Sequence, residues 1–111
     1  MNKNKLLYTA FIFANLLFIY CAGPKTIAAV PNDNQLSIAT KRWPDATLET
    51  LKAGHTIYIT KCNTCHGLKS IPTRSEENWL KEISEMAPKA KLTASETETL
   101  SRYILSARVV K

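Results

Sequence analysis

Apolar residues at helical spacing predict three helices in the C-terminal part of the chain. The first begins after Thr47, a good N-cap residue, runs through Leu51 and Tyr58, and ends just before Cys62. Gly54 lies inside this helix, where Gly costs about 0.8–1 kcal/mol relative to Ala. We therefore expect another helix to pack closely against the chain at Gly54.

The second predicted helix begins after Ser75 and has an amphipathic pattern. Trp79, Ile83 and Met86 follow one another at spacings of four and three residues, which places them on one face. Pro88 is expected to end the helix, because proline disfavours the helical conformation in the residue before it.

The last predicted helix opens with a capping box formed by Thr93 and Glu96. Its apolar stripe has four members: Leu100, Tyr103, Ile104 and Ala107. No stretch alternates apolar and polar residues for long enough to predict a strand, so the expected fold class is all-α.

The N-terminal residues have the pattern of a signal peptide. Lys3 and Lys5 precede an apolar stretch from Leu6 to Tyr20, which is shorter than the roughly 20 apolar residues of a membrane span. Cys21 stands where a bacterial lipoprotein carries its acylated cysteine, although Tyr20 replaces the usual small residue. We expect residues 1–21 to be a signal peptide ending at a lipidated Cys21; an uncleaved anchor and free secretion are the alternatives, with Cys21 then one more apolar residue.

The rest of the chain divides into a linker and one domain. Residues 22–41 contain Pro, Asn and Thr with little periodic hydrophobicity, which predicts a flexible tether. Residues 42–111 are expected to form a single domain outside the cytoplasm, periplasmic or on the outer face of a membrane.

Charge argues against a nucleic-acid partner. The full chain has 15 Lys and Arg against 9 Asp and Glu; loss of Lys3 and Lys5 with the signal peptide leaves 13 basic residues and a net charge of +4. The basic residues are scattered among acidic ones, as on an ordinary solvated surface. A modest positive charge is compatible with steering toward an acidic protein partner.

The motif Cys62-x-x-Cys65-His66 has the spacing of a covalent haem site. Its two thiols can add to the two haem vinyl groups, and His66 can then reach the iron from the same side. A redox-active Cys pair, a zinc site that also uses His55, and a simple disulfide are the alternatives. A domain of some seventy residues with two tryptophans has a thin core, which a covalently bound apolar cofactor would complete.

Met86 is the preferred second ligand of the iron. It is the only methionine after Met1, and it stands beside Ala87-Pro88, where a turn could direct its thioether to the iron. The alternatives are that Met86 packs in the core and that His55 is the ligand instead. Together, His66 and Met86 would raise the reduction potential relative to two nitrogen ligands.

Three further residues are candidates for contacts around the haem. The loop at Ile71-Pro72 can offer a carbonyl to the second N–H of His66, as haem-ligating histidines usually require. Trp79 can donate its indole N–H to a haem propionate, with core packing as the alternative, and Arg74 is a weaker candidate for the same role.

These residues resemble class I (mitochondrial-type) cytochrome c over about residues 43–109. The resemblance lies in the order of the motif Cys62-x-x-Cys65-His66, then Met86, then a final helix. It implies a small helical domain wrapped around one low-spin haem c with His and Met ligands. It also implies that the first and last helices cross where Gly54 and Tyr58 meet Tyr103. The span between His66 and Met86 is shorter than is usual in that family, which removes part of the haem-covering loop.

The expected function is single-electron transfer, without enzymatic activity, in an exported electron-transfer chain. The expected partners are donor and acceptor oxidoreductases, the membrane is contacted through the lipid, and the protein is expected to be a monomer. The alternatives are a five-coordinate haem sensor or peroxidase-like enzyme, and a haem subunit of a larger oxidoreductase.

Overall fold

The computed structural model describes residues 27–62 and 67–111 of the chain. These residues form four α-helices, one short 3-10 helix and no strand, so the all-α prediction is confirmed. The elements in chain order are α1 (Asp33–Arg42), α2 (Leu48–Lys61), the 3-10 helix (Ile71–Thr73), α3 (Glu76–Lys89) and α4 (Ala94–Ala107). None of the helices in the two described ranges is long and apolar enough to cross a membrane.

The predicted helix starts are confirmed by their capping hydrogen bonds. The side chain of Thr47 accepts the N–H of Thr50, and the side chain of Ser75 accepts the N–H of Asn78. At the start of α4, Thr93 and its partner three residues later form the reciprocal capping box that the sequence predicts. Each cap satisfies a backbone N–H that the first turn of a helix leaves without a partner.

The predicted end of the second helix is wrong, because α3 continues through Pro88 to Lys89. Proline lacks an N–H, so the carbonyl of Ser84 loses its helical partner, but Ser84 is exposed and water can replace that hydrogen bond. The helix ends instead at a Schellman-type turn, in which the N–H of Leu92 donates to the carbonyl of Ala87 at 2.9 Å. Lys91 adopts φ 55° at this turn.

The predicted tether over residues 22–41 conflicts with α1, which spans Asp33–Arg42. Gln35 on this helix is buried, and its side-chain amide donates to the carbonyl of Tyr103 at 3.1 Å and to Oγ of Ser106 at 2.9 Å. These bonds join residues about seventy positions apart, so no local pattern indicates them. Most of the second half of the predicted tether is therefore part of the folded domain.

The core lies where α2 crosses α4, and α3 covers one side of it. Its largest cluster is built from aromatic and aliphatic side chains, with Tyr58, Trp79, Leu100, Tyr103 and Ile104 among its members. A smaller cluster of Ala39, Ala46 and Leu51 fixes α1 to the N-terminal half of α2. The expected close approach at Gly54 is confirmed, because a Cβ atom there would lie 2.5 Å from Tyr103.

Candidate functional site

Part of the candidate motif lies outside the described residues. Cys65 and His66 belong to residues 63–66, and Cys21 belongs to residues 1–26; neither range is described. Cys62 is described, and it forms the C-cap of α2 as a half-buried free cysteine. The motif therefore begins where α2 ends.

Cys62 lines an apolar cleft that the chain forms beside its core. The cleft is walled by the end of α2, by residues 67–69, by α3 and by α4, with Tyr58, Ile83 and Leu100 among its apolar lining residues. Its unfilled space is about 530 Å³ when open solvent at the mouth is counted, but only about 40 Å³ of it can hold the centre of a water molecule. The walls thus stand close together.

Met86 lines the same cleft from the side of α3. It is half-buried, and its backbone carbonyl accepts the N–H of Ala90 at 2.8 Å. The structure thus brings Met86 and Cys62 to one cavity, although they are 24 positions apart in the sequence. Met86 lies on the predicted helix, but the turn expected beside it at Ala87-Pro88 is absent, because the helix continues to Lys89.

Trp79 packs in the core, which was the alternative to binding a propionate. Its indole N–H donates to the carbonyl of Ile71 at 3.0 Å, and its ring meets that of Tyr58 edge to face, with centroids 6.0 Å apart. The guanidinium of Arg74 lies over the Trp79 ring, 5.5 Å from its centroid. In this arrangement the indole N–H is not available to a propionate.

Pro72 and His55 do not appear among the described residues that line the cleft. Pro72 is exposed within the 3-10 helix, and the carbonyl of Ile71 before it already accepts the indole N–H of Trp79. His55 packs edge to face against Tyr103, with ring centroids 5.4 Å apart. Of the two candidate ligands Met86 and His55, only Met86 lies in the lining of the cleft, and both the second iron ligand and the carbonyl partner of His66 stay predictions.

A charged cluster at the mouth of the cleft was only partly foreseen. Glu82 on α3 pairs with Lys69 at 2.5 Å and also with Arg74. Sequence analysis singled out Arg74 alone, because Lys69 and Glu82 are 13 residues apart and share no helical face. Burial tends to raise the pKa of Glu82, but the hydrogen bonds and charges of the two cations outweigh it and hold that pKa below its ordinary value.

Burial raises the pKa of two other titratable groups in the cleft. Burial, with a smaller contribution from the Glu82 charge, raises the pKa of the Cys62 thiol. Burial also raises the pKa of Tyr58 to about 12. The hydroxyl of Tyr58 donates to the carbonyl of Lys69 and accepts the N–H of the same residue at 3.0 Å, which ties α2 to residues 67–69.

The described residues match, in chemistry but not in the space between them, a flat, mostly apolar group that carries carboxylates and is attached through sulfur. Cys62 supplies a thiol, Met86 supplies a thioether, and the walls between them are apolar. Lys69 supplies a cation in the lining, and Arg74, which lies outside the lining, supplies a second one through its pair with Glu82. Because the walls are close together, a group of the size of haem would require α3 or residues 67–69 to move outward.

Comparisons of the chain with family models, curated proteins and solved structures give no match. Among the described residues, no group of three or more His, Cys, Asp or Glu side chains is arranged to hold a metal ion. The candidate site among the described residues consists of Cys62, Met86 and the cleft that both line.

Proposed function

We propose that this protein carries single electrons on one covalently attached haem c. The thiols of Cys62 and Cys65 would hold the haem, and His66 and Met86 would bind its iron. The observation that carries the proposal is that Cys62, the first residue of the attachment motif, and Met86 line the same apolar cleft. When bound, the haem would supply a one-electron iron couple whose potential is raised by methionine ligation and burial.

The residues of the cleft serve such a group in three ways. Apolar side chains such as Ile83 and Leu100 exclude water from the site, which raises the reduction potential. The thioether of Met86 offers a soft, uncharged ligand on the same cavity. Burial raises the pKa of the Cys62 thiol, which further favours the protonated form before attachment.

The cellular setting belongs to the same proposal. We propose that residues 1–21 direct export, that Cys21 is acylated, and that the protein works at the outer face of a membrane with donor and acceptor oxidoreductases as partners. The intact mass of the exported protein tests both modifications at once, because haem addition and acylation add different masses. Absence of the haem mass from a folded exported protein contradicts the proposed function.

The role of Met86 is tested by Met86→Leu, which keeps an apolar side chain of similar volume and removes the sulfur. If Met86 binds the iron, the variant loses the weak sulfur-to-iron charge-transfer band, has a lower reduction potential, and takes up carbon monoxide rapidly. His55→Ala is the matched control for the competing ligand and should leave all three properties unchanged. An unaltered spectrum in Met86→Leu excludes Met86 as the ligand.

The position of Met86 within a regular helix favours one alternative function. A helical methionine packs in the core more often than it binds a metal, and an unfilled sixth position would make the protein a sensor of small gases or a peroxidase-like enzyme. Rapid carbon monoxide uptake by the unmodified protein would support this alternative over the carrier.

A further inference from the structure

The charged cluster at the mouth of the cleft has no part in the proposed electron transfer. Glu82 projects from α3, and its carboxylate is shared between two cations that precede α3 in sequence. One oxygen meets Nζ of Lys69 at 2.5 Å, and the other meets the guanidinium of Arg74. Glu82 and Lys69 both line the cleft, so their ion pair joins the wall formed by α3 to the wall formed by residues 67–69, and Arg74 reaches the pair from outside the lining.

The same part of the chain is also held from the side of α2. The hydroxyl of Tyr58 exchanges hydrogen bonds with both the N–H and the carbonyl of Lys69. The backbone of Lys69 is therefore fixed to α2 while its side chain is fixed to α3. This arrangement holds the two walls together and accounts for the small space between them.

The cluster has more positive than negative charge. Lys69 and Arg74 face the single carboxylate of Glu82, and in the neighbouring surface groove Lys81 is balanced by Glu85. Arg74 is also held over the ring of Trp79, 5.5 Å from its centroid, which orders the guanidinium for planar recognition of a carboxylate. A cationic pair beside an apolar cleft suits a ligand with a flat apolar body and carboxylates along one edge.

Exchange of one carboxylate for another changes the free energy little. The three side chains are partly exposed, and such ion pairs are weak, so new pairs with a ligand would replace those with Glu82 at nearly equal free energy. Burial of the apolar body of the ligand would then drive opening of the cleft.

We propose that Glu82 is a latch that closes the cleft by occupying Lys69 and Arg74, and that the carboxylates of a porphyrin displace it when the ring enters. This inference rests on the proposed function, because the porphyrin carboxylates are the propionates of the haem. Lys69 and Arg74 would then bind the propionates, for which the sequence had indicated Trp79 first and Arg74 second.

The latch is tested on the full chain without haem, by fluorescence titration with iron-free protoporphyrin and with its uncharged dimethyl ester. The unmodified chain should bind the diacid more tightly than the ester. Glu82→Gln should bind both porphyrins more tightly than the unmodified chain does, because the cleft opens. Its affinity for the diacid should rise most, by roughly three- to tenfold, because both cations are also released. Glu85→Gln, an equal change of charge on the same helix, should have no such effect.

The double variant Lys69→Gln with Arg74→Gln separates recognition from opening. It should bind the diacid and the ester with nearly equal affinity. Any of three results overturns the latch. The preference for the diacid is unchanged in all variants, Glu82→Gln binds the diacid no more tightly than Glu85→Gln does, or the unmodified chain binds neither porphyrin.

These results do not depend on the intact-mass measurement that tests the proposed function. An exported protein that lacks covalent haem, together with a diacid preference that requires Lys69 and Arg74, supports the latch and contradicts the covalent carrier. An exported protein with haem, together with an unchanged preference, contradicts the latch alone.

Discussion

Gly54 and Tyr103 meet at a contact too close for any other residue at position 54. A Cβ atom at Gly54 would lie 2.5 Å from the Cβ of Tyr103 and 2.5 Å from the carbonyl oxygen of Thr99, distances that real Cβ atoms essentially never show. This contact lets α2 approach α4 backbone to backbone, and it places Tyr58 beside Tyr103, with ring centroids 6.3 Å apart. The position of the cleft wall therefore depends on a glycine.

Gly54→Ala is expected to destabilise the protein by about 1–3 kcal/mol, the usual cost of overpacking a well-filled contact. The gain in helix propensity of about 1 kcal/mol opposes this cost but does not remove the clash, because one of the two neighbours is backbone. Urea unfolding followed by circular dichroism measures the difference in the free energy of unfolding.

Ala53→Gly is the matched control, since Ala53 is the exposed neighbour of Gly54 on the same helix. It should cost only the propensity difference of about 0.8–1 kcal/mol. A Gly54→Ala variant that is more stable than the unmodified protein would mean that the two helices do not cross at this point.

The sequence predicted a close helix contact at Gly54 because that signal is local, whereas Tyr103 as the partner was implied only by the family resemblance. A glycine inside an amphipathic helix and a capping box at Thr93 each report their environment within a few residues. Gln35 gave no such signal, because its partners lie on α4, and a polar helix with few apolar residues resembles a linker. The prediction that the helix ends at Pro88 failed because a local signal was present but was outweighed. Burial of Ala87 and the turn after Lys89 outweighed the local preference of proline.

The candidate site divides in the same way. The Cys62 motif and Met86 were singled out from spacing and from residue counts, and the fold brings Cys62 and Met86 to one cleft. The Lys69–Glu82 pair could not be identified from the sequence, because it depends on how residues 67–69 are placed against α3.

Gln35→Ala should loosen α1 from α4. It removes two buried hydrogen bonds to α4 and leaves a small void, with an expected cost of about 1–3 kcal/mol. Limited proteolysis should then cut the chain within α1 faster than in the unmodified protein, because a helix that unfolds locally becomes a substrate.

Asn34→Ala, an exposed change on α1 next to Gln35, controls for loss of an amide side chain. It should leave both the free energy of unfolding and the cleavage pattern nearly unchanged. Equal proteolysis of α1 in the unmodified protein and in Gln35→Ala would mean that residues 33–42 are a tether after all.

Lys91→Gly should stabilise the protein. Lys91 has φ 55°, a left-handed conformation that costs an L-residue with a side chain roughly 1–2 kcal/mol and that glycine adopts freely. Part of the gain is offset by the greater freedom of glycine in the unfolded chain, so the expected net change is about 0.5–1 kcal/mol. Thermal unfolding of both proteins measures it.

Lys89→Gly is the comparison for Lys91→Gly, because Lys89 is the last residue of α3 and has no positive φ. This variant should be less stable than the unmodified protein, by up to about 1 kcal/mol. Stabilisation by both changes would indicate an effect of charge instead of backbone conformation.

The buried hydroxyl of Tyr58 should make the protein sensitive to alkali. Burial raises its pKa from 10.0 to about 12; the charges of Cys62 and Glu82 add to this effect, and the Lys69 backbone bond and the Arg74 charge oppose it. The folded chain therefore retains a proton that the unfolded chain releases as the pH rises above 10. The corresponding stability is complete below pH 10 and is lost as the pH rises through about 12.

Denaturant titrations between pH 8 and pH 12 of the unmodified protein and of Tyr58→Phe isolate this contribution. Phenylalanine keeps the ring in the core but cannot ionise, so its free energy of unfolding should fall less steeply with pH. Lysine side chains also lose their charge in this range, but they are common to both proteins and cancel in the comparison. The pKa of Tyr103 is raised by burial too, so the variant should retain part of the decrease. Parallel pH profiles for the two proteins would show that burial in the fold does not raise the pKa of the Tyr58 hydroxyl.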